Sequence, residues 1–273
     1  MKRQGLAKEP VRFTKMQGLG NDYLYVYAEA PKNAAALSRK LSDRHFGAGS
    51  DGMIYISPSD AADFKMRIFN ADGSEAKMCG NGIRCVGKYV YEKGYTDKTQ
   101  LTIETLSGIR NLELQVQDGV VISVTVSMGK AEAEEEIGLL TDEGRIQGIP
   151  VSVGNPHFVI FVEDIGEIRL RTFGPLIEKH ALFPDGVNVE FVQVTGDNRL
   201  RMRVWERGSG VTMACGTGAC ASAAAAVKKG YCSPGSDLSV ALDGGVLIIT
   251  VDEQGYVRMK GPAEWIYEGE MLI

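Results

Sequence analysis

Two short stretches decide the architecture. Met78-Cys79-Gly80-Asn81-Gly82 is echoed by Ala214-Cys215-Gly216-Thr217-Gly218, which repeats the Cys-Gly-x-Gly pattern 136 positions later (79 to 215). A run with helical pattern follows each, Asn81–Lys93 and Thr217–Lys229, and each run closes on Lys-Gly-Tyr, at 93–95 and 229–231. Upstream, Gly20-Asn21 and Gly154-Asn155 stand in matching places at an offset of 134 (20 to 154). Echoes in the same order indicate an internal duplication, and so long a period excludes a solenoid of short repeats.

Between these landmarks, alternating and β-branched segments predict strands at Asp22–Ala28, Phe64–Phe69, Gln100–Thr105, Asn111–Val116, Val120–Ser127, Phe158–Glu163, Asn188–Val194, Arg199–Trp205 and Val246–Val251. Short turns such as Gln117-Asp118-Gly119 join neighbours, so the sheet is expected to be mostly antiparallel. Asn33–Arg44 reads as an amphipathic helix with Asn33 as candidate N-cap, and Phe173–His180 as a further helix. The run after Cys215 is apolar nearly all round, which implies a helix enclosed by other structure. The expected fold class is therefore α+β, made of two similar domains. Their boundary is placed near Met128–Glu136, where consecutive glutamates suggest a solvated connection.

Composition narrows the function. The chain has 273 residues with 44% apolar and 24% charged, which excludes disordered, collagen-like and coiled-coil classes. A net charge of −5 offers no electrostatic case for nucleic acid. No segment approaches the ~20 apolar residues that span a bilayer, and Met1–Arg12 lacks the apolar stretch of a signal peptide. The expected compartment is cytoplasmic, with reduced thiols. Five cysteines, spaced by six and five within clusters, supply no C-x-x-C pair, so no metal site is expected. No nicotinamide, nucleotide or pyridoxal-phosphate signature is present, and no cofactor is expected.

The repeated cysteine carries the chemistry. A cysteine at a helix entrance lies beside free N–H groups and the positive dipole end, both of which favour a thiolate. The following glycines let a carboxylate approach the same N–H groups. Two such devices facing one another place two acid–base groups on opposite sides of one ligand. One can remove a proton from carbon while the other delivers one to the opposite face, which is the chemistry of racemases and epimerases. Cys85, Cys220 and Cys232 lie outside the repeat and read as packing residues, as do His45 and His180 in a structural role. A thiol redox or metal-buffering protein is the alternative that would use all five cysteines.

Seven landmarks in order carry a resemblance. They are Lys15-Met16-Gln17-Gly18-Leu19-Gly20-Asn21-Asp22, Phe69-Asn70-Ala71-Asp72-Gly73-Ser74-Glu75, Met78-Cys79-Gly80-Asn81-Gly82-Ile83-Arg84, Gly154-Asn155-Pro156-His157, Asn188-Val189-Glu190-Phe191, Trp205-Glu206-Arg207-Gly208-Ser209-Gly210 and Ala214-Cys215-Gly216-Thr217-Gly218. With these the sequence resembles the diaminopimelate epimerase family, from Phe13 to the C-terminus. The resemblance implies a cofactor-independent isomerase that interconverts LL- and meso-diaminopimelate in lysine and peptidoglycan-precursor biosynthesis. It implies two pseudo-symmetric domains, 1–130 and 131–261, each a curved sheet or barrel round a central helix, with 262–273 packing back on the first. A homodimer is implied as well.

By the same resemblance, Cys79 and Cys215 are the catalytic acid–base pair. Gly80, Asn81, Gly216 and Thr217 would hold the reacting α-carboxylate through backbone N–H groups. Asn21, Asn70, Asn155, Asn188, Glu206 and Arg207 would contact the rest of the substrate, with Arg207 on the distal carboxylate and Glu206 on an ammonium. His157 and Glu206 would modulate the thiols. Proline racemases share the two cysteines but lack this Asn and Glu-Arg set, and phenazine-pathway isomerases share the fold but lack the cysteine pair. The sequence departs from the family at Gly52, where many members carry Gln, and in an N-terminal extension of about ten residues.

Overall fold

The computed structural model describes residues 10–272. Most of the N-terminal extension, residues 1–9, lies outside the described residues, as does Ile273 at the end of the expected segment 262–273. The first half comprises strands β1 (Pro10–Gly18), β2 (Asn21–Tyr27), β3 (Gly52–Ser57), β4 (Phe64–Asn70), β5 (Glu75–Ala76), β6 (Gln100–Thr105), β7 (Gly108–Gln117) and β8 (Val120–Lys130), with helices α1 (Ala34–Ser42) and α2 (Gly80–Glu92). The second comprises β9 (Glu132–Ala133), β10 (Ile137–Thr141), β11 (Gly144–Ser152), β12 (Pro156–Phe161), β13 (Asn188–Gly196), β14 (Arg199–Glu206), β15 (Gly210–Val211), β16 (Asp237–Leu242), β17 (Gly245–Val251), β18 (Tyr256–Gly261) and β19 (Glu264–Leu272), with α3 (Leu170–Glu178) and α4 (Gly216–Lys228).

Strand pairing repeats between the halves. In the first, β1 pairs antiparallel with β2, β2 parallel with β3 across α1, β3 antiparallel with β4, and β4 parallel with β6 across α2. A meander β6–β7–β8 completes it. The second repeats the order as β11, β12, β13, β14 and β16, with α3 and α4 as the crossovers and the meander β16–β17–β18. Each parallel step needs a long crossover to return the chain to the same edge, and a helix fills it. The two meanders join where β18 pairs with β8, and β19 returns to pair with β1.

Burial explains the helices. Every residue of α2 from Gly80 to Val90 is buried, and α4 is buried from Gly218 to Ala226. The alanines of α4 let sheet approach it on all sides. β3 is buried along its whole length because it is covered on both faces: Ile54 and Ile56 pack with the α2 cluster, Met53 and Tyr55 with the α1 cluster. A strand of this kind shows no alternation, so the sequence pattern does not mark it. The α3 helix begins three residues earlier than Phe173 and ends at Glu178. Asn33 occupies the N-cap position of α1, but its side chain makes no capping hydrogen bond. Within the expected solvated connection, Met128 and Ala131 are buried, and the glutamates are tied to the end of α4 by Lys228–Glu135 and Lys229–Glu136 ion pairs.

The repeated Lys-Gly-Tyr has a physical role. Gly94 and Gly230 have φ of +74° and +73°, and the following N–H groups of Tyr95 and Tyr231 donate to Val90 and Ala226 carbonyls. Each is a Schellman motif that satisfies the last carbonyls of its helix. A Cβ at either glycine would meet nothing within 4 Å, so Gly94→Ala and Gly230→Ala should each cost only the left-handed conformation, roughly 1–2 kcal/mol. At Gly52 a Cβ would lie 2.2 Å from the Phe69 carbonyl oxygen. Gly52→Ala should therefore act by overpacking, at about 1–3 kcal/mol. Urea unfolding of the three variants, read against an unchanged m-value, checks both figures; a neutral Gly52→Ala would refute the packing argument.

Candidate active site

Cys79 and Cys215 occupy the N-cap positions of α2 and α4 with nearly the same extended backbone, φ/ψ −137°/115° and −113°/110°. Each sulfur accepts the third N–H of its helix, from Gly82 and from Gly218, at 3.3 Å. The two helix starts abut: a Cβ on Gly216 would lie 3.6 Å from the Cα of Gly80 and 3.1 Å from Met259 Sδ. Asn81 Nδ2 donates across the junction to the Ala214 carbonyl at 3.1 Å, directly before Cys215. The duplicated stretches are thus brought face to face.

The surrounding side chains divide by half. On the first, Cys79 Sγ lies 3.4 Å from Asn21 Oδ1, and Asn21 is held by its Nδ2 on Asp51 at 2.8 Å. Tyr23 reaches Asn70 Oδ1 at 3.5 Å, and Asn70 donates to Ser74. On the second, Cys215 Sγ and Thr217 Oγ1 are 3.5 Å apart, Asn155 Nδ2 faces Thr217 Oγ1 at 3.4 Å, and His157 bridges Asn155 and Glu190. Glu206 accepts from the Thr212 hydroxyl. Asn188 acts as a brace, donating to the Pro156 carbonyl and accepting from the Arg207 N–H. Arg207 is exposed, and its guanidinium donates to the Asp185 carbonyl on the neighbouring loop.

Burial governs the titration of both sulfurs. Cys215 is buried and Cys79 half-buried. Burial pushes the Cys79 thiol up, Glu206 adds to this, and the Gly82 and Asn81 N–H groups and Arg84 act the other way. Burial, then the carboxylates of Glu206 and Glu190, hold the Cys215 thiol well above the ordinary thiol range, against the Thr217 hydroxyl and the Gly218 N–H. The helix-start N–H groups do favour a thiolate as expected, but desolvation outweighs them and both thiols are raised. Glu206 is itself pushed up, by burial first and by Glu190. Cys85 and Cys220 are pushed to about 11 and about 12 by full burial, as suits packing residues.

The family model described as Diaminopimelate epimerase matches residues 13–134 and again 149–266. A diaminopimelate epimerase of Bacteroides thetaiotaomicron is 52% identical over 264 residues, covering 96% of this chain and 98% of that protein. One from Methanococcus maripaludis is 50% identical over 279 residues, covering 96% and 100%.

The chain belongs to the diaminopimelate epimerase family.

Among solved structures, a phenazine biosynthesis protein from Bacillus anthracis superposes with TM-score 0.76 at 17% identity, covering 97% of this chain and 100% of that one. A hydroxyproline epimerase from Agrobacterium vitis superposes with TM-score 0.75 at 18% identity, covering 98% and 92%. At these identities the likeness is one of fold, the α+β architecture of two pseudo-symmetric parts. Several residues now beside the cysteines were not singled out from the sequence: Tyr23, Asp51, Arg84, Glu190 and Thr212. Glu190 had a usable signal, since it is a charged residue inside a strand whose neighbours Val189, Phe191 and Val192 are all apolar and buried. No comparable signal marked Thr212 or Asp51.

The raised thiols predict a pH dependence. Only the thiolate alkylates, so the rate of iodoacetamide labelling at Cys79, mapped by mass spectrometry, should still be climbing at about pH 9, beyond the ordinary thiol value of about 8.5. A rate that levels off below pH 8 would mean that the helix start, not burial, sets the sulfur.

Proposed function

We propose that this chain interconverts LL- and meso-diaminopimelate without a cofactor, by two-base proton transfer between Cys79 and Cys215. The observation that carries the reading is the pair of cysteine-capped helix starts facing each other across the junction. The substrate α-carboxylate would dock on the N–H groups of Gly80, Asn81, Gly216 and Thr217, where the two positive helix ends meet. One sulfur, as thiolate, takes the α-proton; the bond electrons pass towards the carboxylate, whose developing charge those N–H groups stabilise. The other sulfur, as thiol, gives a proton to the opposite face of the carbon, and the stereocentre inverts. The sulfurs have then exchanged roles.

Asn21, Asn70, Asn155, Asn188, Glu206 and Arg207 would hold the rest of the substrate, with His157 and Glu206 modulating the sulfurs. Arg207 would leave the Asp185 carbonyl to take the distal carboxylate as a fork. The same proposal includes the partition into domains 1–130 and 131–261 with 262–273 returning to the first, a cytoplasmic homodimer, and a place in lysine and peptidoglycan-precursor synthesis. Repeated strand order and the β19–β1 pairing support the partition.

Incubation with LL-diaminopimelate in heavy water, without added cofactor, should yield the meso isomer carrying deuterium at the α-carbon. Absence of both would refute the reading. Cys79→Ala and Cys215→Ala should each lower the rate by on the order of 10²–10⁴-fold or more, whereas Cys232→Ala should leave it intact. Full activity in either of the first two variants would remove that cysteine from the mechanism.

A further inference from the structure

Arg84, one turn into α2, is a buried cation that the proposed reaction does not use. It has no exposed surface. Its Nε donates to the Pro262 carbonyl at 3.0 Å. Its Nη1 donates to the Gly80 carbonyl at 3.2 Å and to Asn81 Oδ1 at 3.0 Å, and Met259 Sδ lies 3.9 Å away. Its Nη2 has no hydrogen-bond partner. Every one of these acceptors is neutral, a costly setting for a buried charge.

Two glycines make room for the guanidinium. A Cβ at Gly18, the last residue of β1, would lie 3.0 Å from Nη2, and one at Gly261, the last residue of β18, would lie 3.0 Å from Nε. Neither glycine has a left-handed φ, so space rather than conformation calls for glycine there. The fold plan itself does not call for the cation. The matching place in α4 is Cys220, 136 positions on (84 to 220).

Arg84 decides which way the Asn81 amide turns. A guanidinium can only donate and a backbone carbonyl can only accept. With Oδ1 on Nη1, Asn81 therefore presents Nδ2 to the Ala214 carbonyl, 3.1 Å away. Gly80 directly follows Cys79, and Ala214 directly precedes Cys215. Guanidinium and amide thus join a carbonyl on each side of the junction, and Nε adds Pro262, where the chain passes from β18 to β19. The backbone N–H of Asn81 takes no part in this chain and stays free for a ligand.

We propose that Arg84 is a positioning residue: acting through the Asn81 side chain, it sets the register of the two cysteine-capped helix starts, so that the N–H groups of Gly80, Asn81, Gly216 and Thr217 converge on one carboxylate. The role deepens the epimerase reading and rests on it for its purpose. The brace itself is tested without substrate.

Asn81→Ala cuts the brace and keeps the backbone N–H. Cys215 is buried, so its alkylation by iodoacetamide waits on local opening. At one fixed pH the labelling of Cys215, mapped by mass spectrometry, should quicken by about 2- to 10-fold, the effect of one hydrogen bond lost. Labelling of Cys232 in the same sample should not change. An unchanged Cys215 rate overturns the proposal, whether or not any Arg84 variant folds.

Kinetics give the second readout. Arg84→Met and Asn81→Ala should each lower kcat and kcat/KM together, by up to on the order of 10²-fold for a misplaced reacting group. The double variant should lose no more than the worse single one, because the two side chains act as a unit. Losses that multiply would overturn the proposal. So would full activity in Arg84→Lys, which keeps the charge but not the planar fork. Gly94→Ala, altered at the far end of α2, should keep its kcat; an equal loss there would make the effect one of stability and refute the role. Failure of the epimerase reading would show separately, as no deuterium incorporation by the unaltered protein, and the Cys215 labelling would still decide the brace.

Discussion

Two helices that meet start to start place two positive dipole ends together, each worth roughly half a charge. Such a junction needs negative or polarisable atoms between the ends, and much of the local structure supplies them. The cysteine sulfurs cap each helix, the Met259 thioether lies against both starts, and Glu206 lies close enough to act on both sulfurs. A Cβ at 80 or 216 would press on the Met259 side chain, 2.9 Å from its Cε or 3.1 Å from its Sδ. The same burial raises both thiols.

Duplication explains the frame but not the chemistry within it. Both halves supply a parallel strand pair beside a cysteine-capped helix, and the matched ladder positions carry different side chains. Tyr23 and Gly52 pair in the first half; His157 and Asn188 pair in the second. The first half presents an amide oxygen to Cys79, fixed by Asp51. The second presents a hydroxyl to Cys215 through a chain that ends in a buried carboxylate. One backbone plan thus gives its two sulfurs unlike partners.

What was legible in the sequence was local. Helix starts and ends are written in adjacent residues, so Cys-Gly-x-Gly and Lys-Gly-Tyr could be read as caps, and duplication made them hard to mistake. Strands covered on both faces, such as β3, lose the alternation that marks a strand. Asn33 was placed by type, yet capping depends on a side-chain rotamer that type does not determine. Burial of Glu190 is not legible locally, because it is decided by what packs against it from α4 and β12, distant in sequence. Arg207 shows the converse: its position was legible, but its guanidinium lies on the Asp185 carbonyl, a contact set by the conformation of a loop.

At Gly52 the structure leaves no room for a side chain. A Cβ there would stand 2.8 Å from Tyr23 Cε1 and 2.9 Å from Asn70 Cα, so the space is already taken by the Tyr23 ring and by β4. Tyr23 is the ladder partner of Gly52, and its phenol reaches Asn70 Oδ1. Burial, then the nearby Cys79, raise that phenol well above its ordinary value, so it stays protonated and remains a hydrogen-bond donor. Tyr23 on β2 thus places its phenol by Asn70, one ladder step from Gly52. A side chain on 52 and the Tyr23 ring in its present position exclude each other, and the first half keeps its donor beside Cys79 by holding the ring.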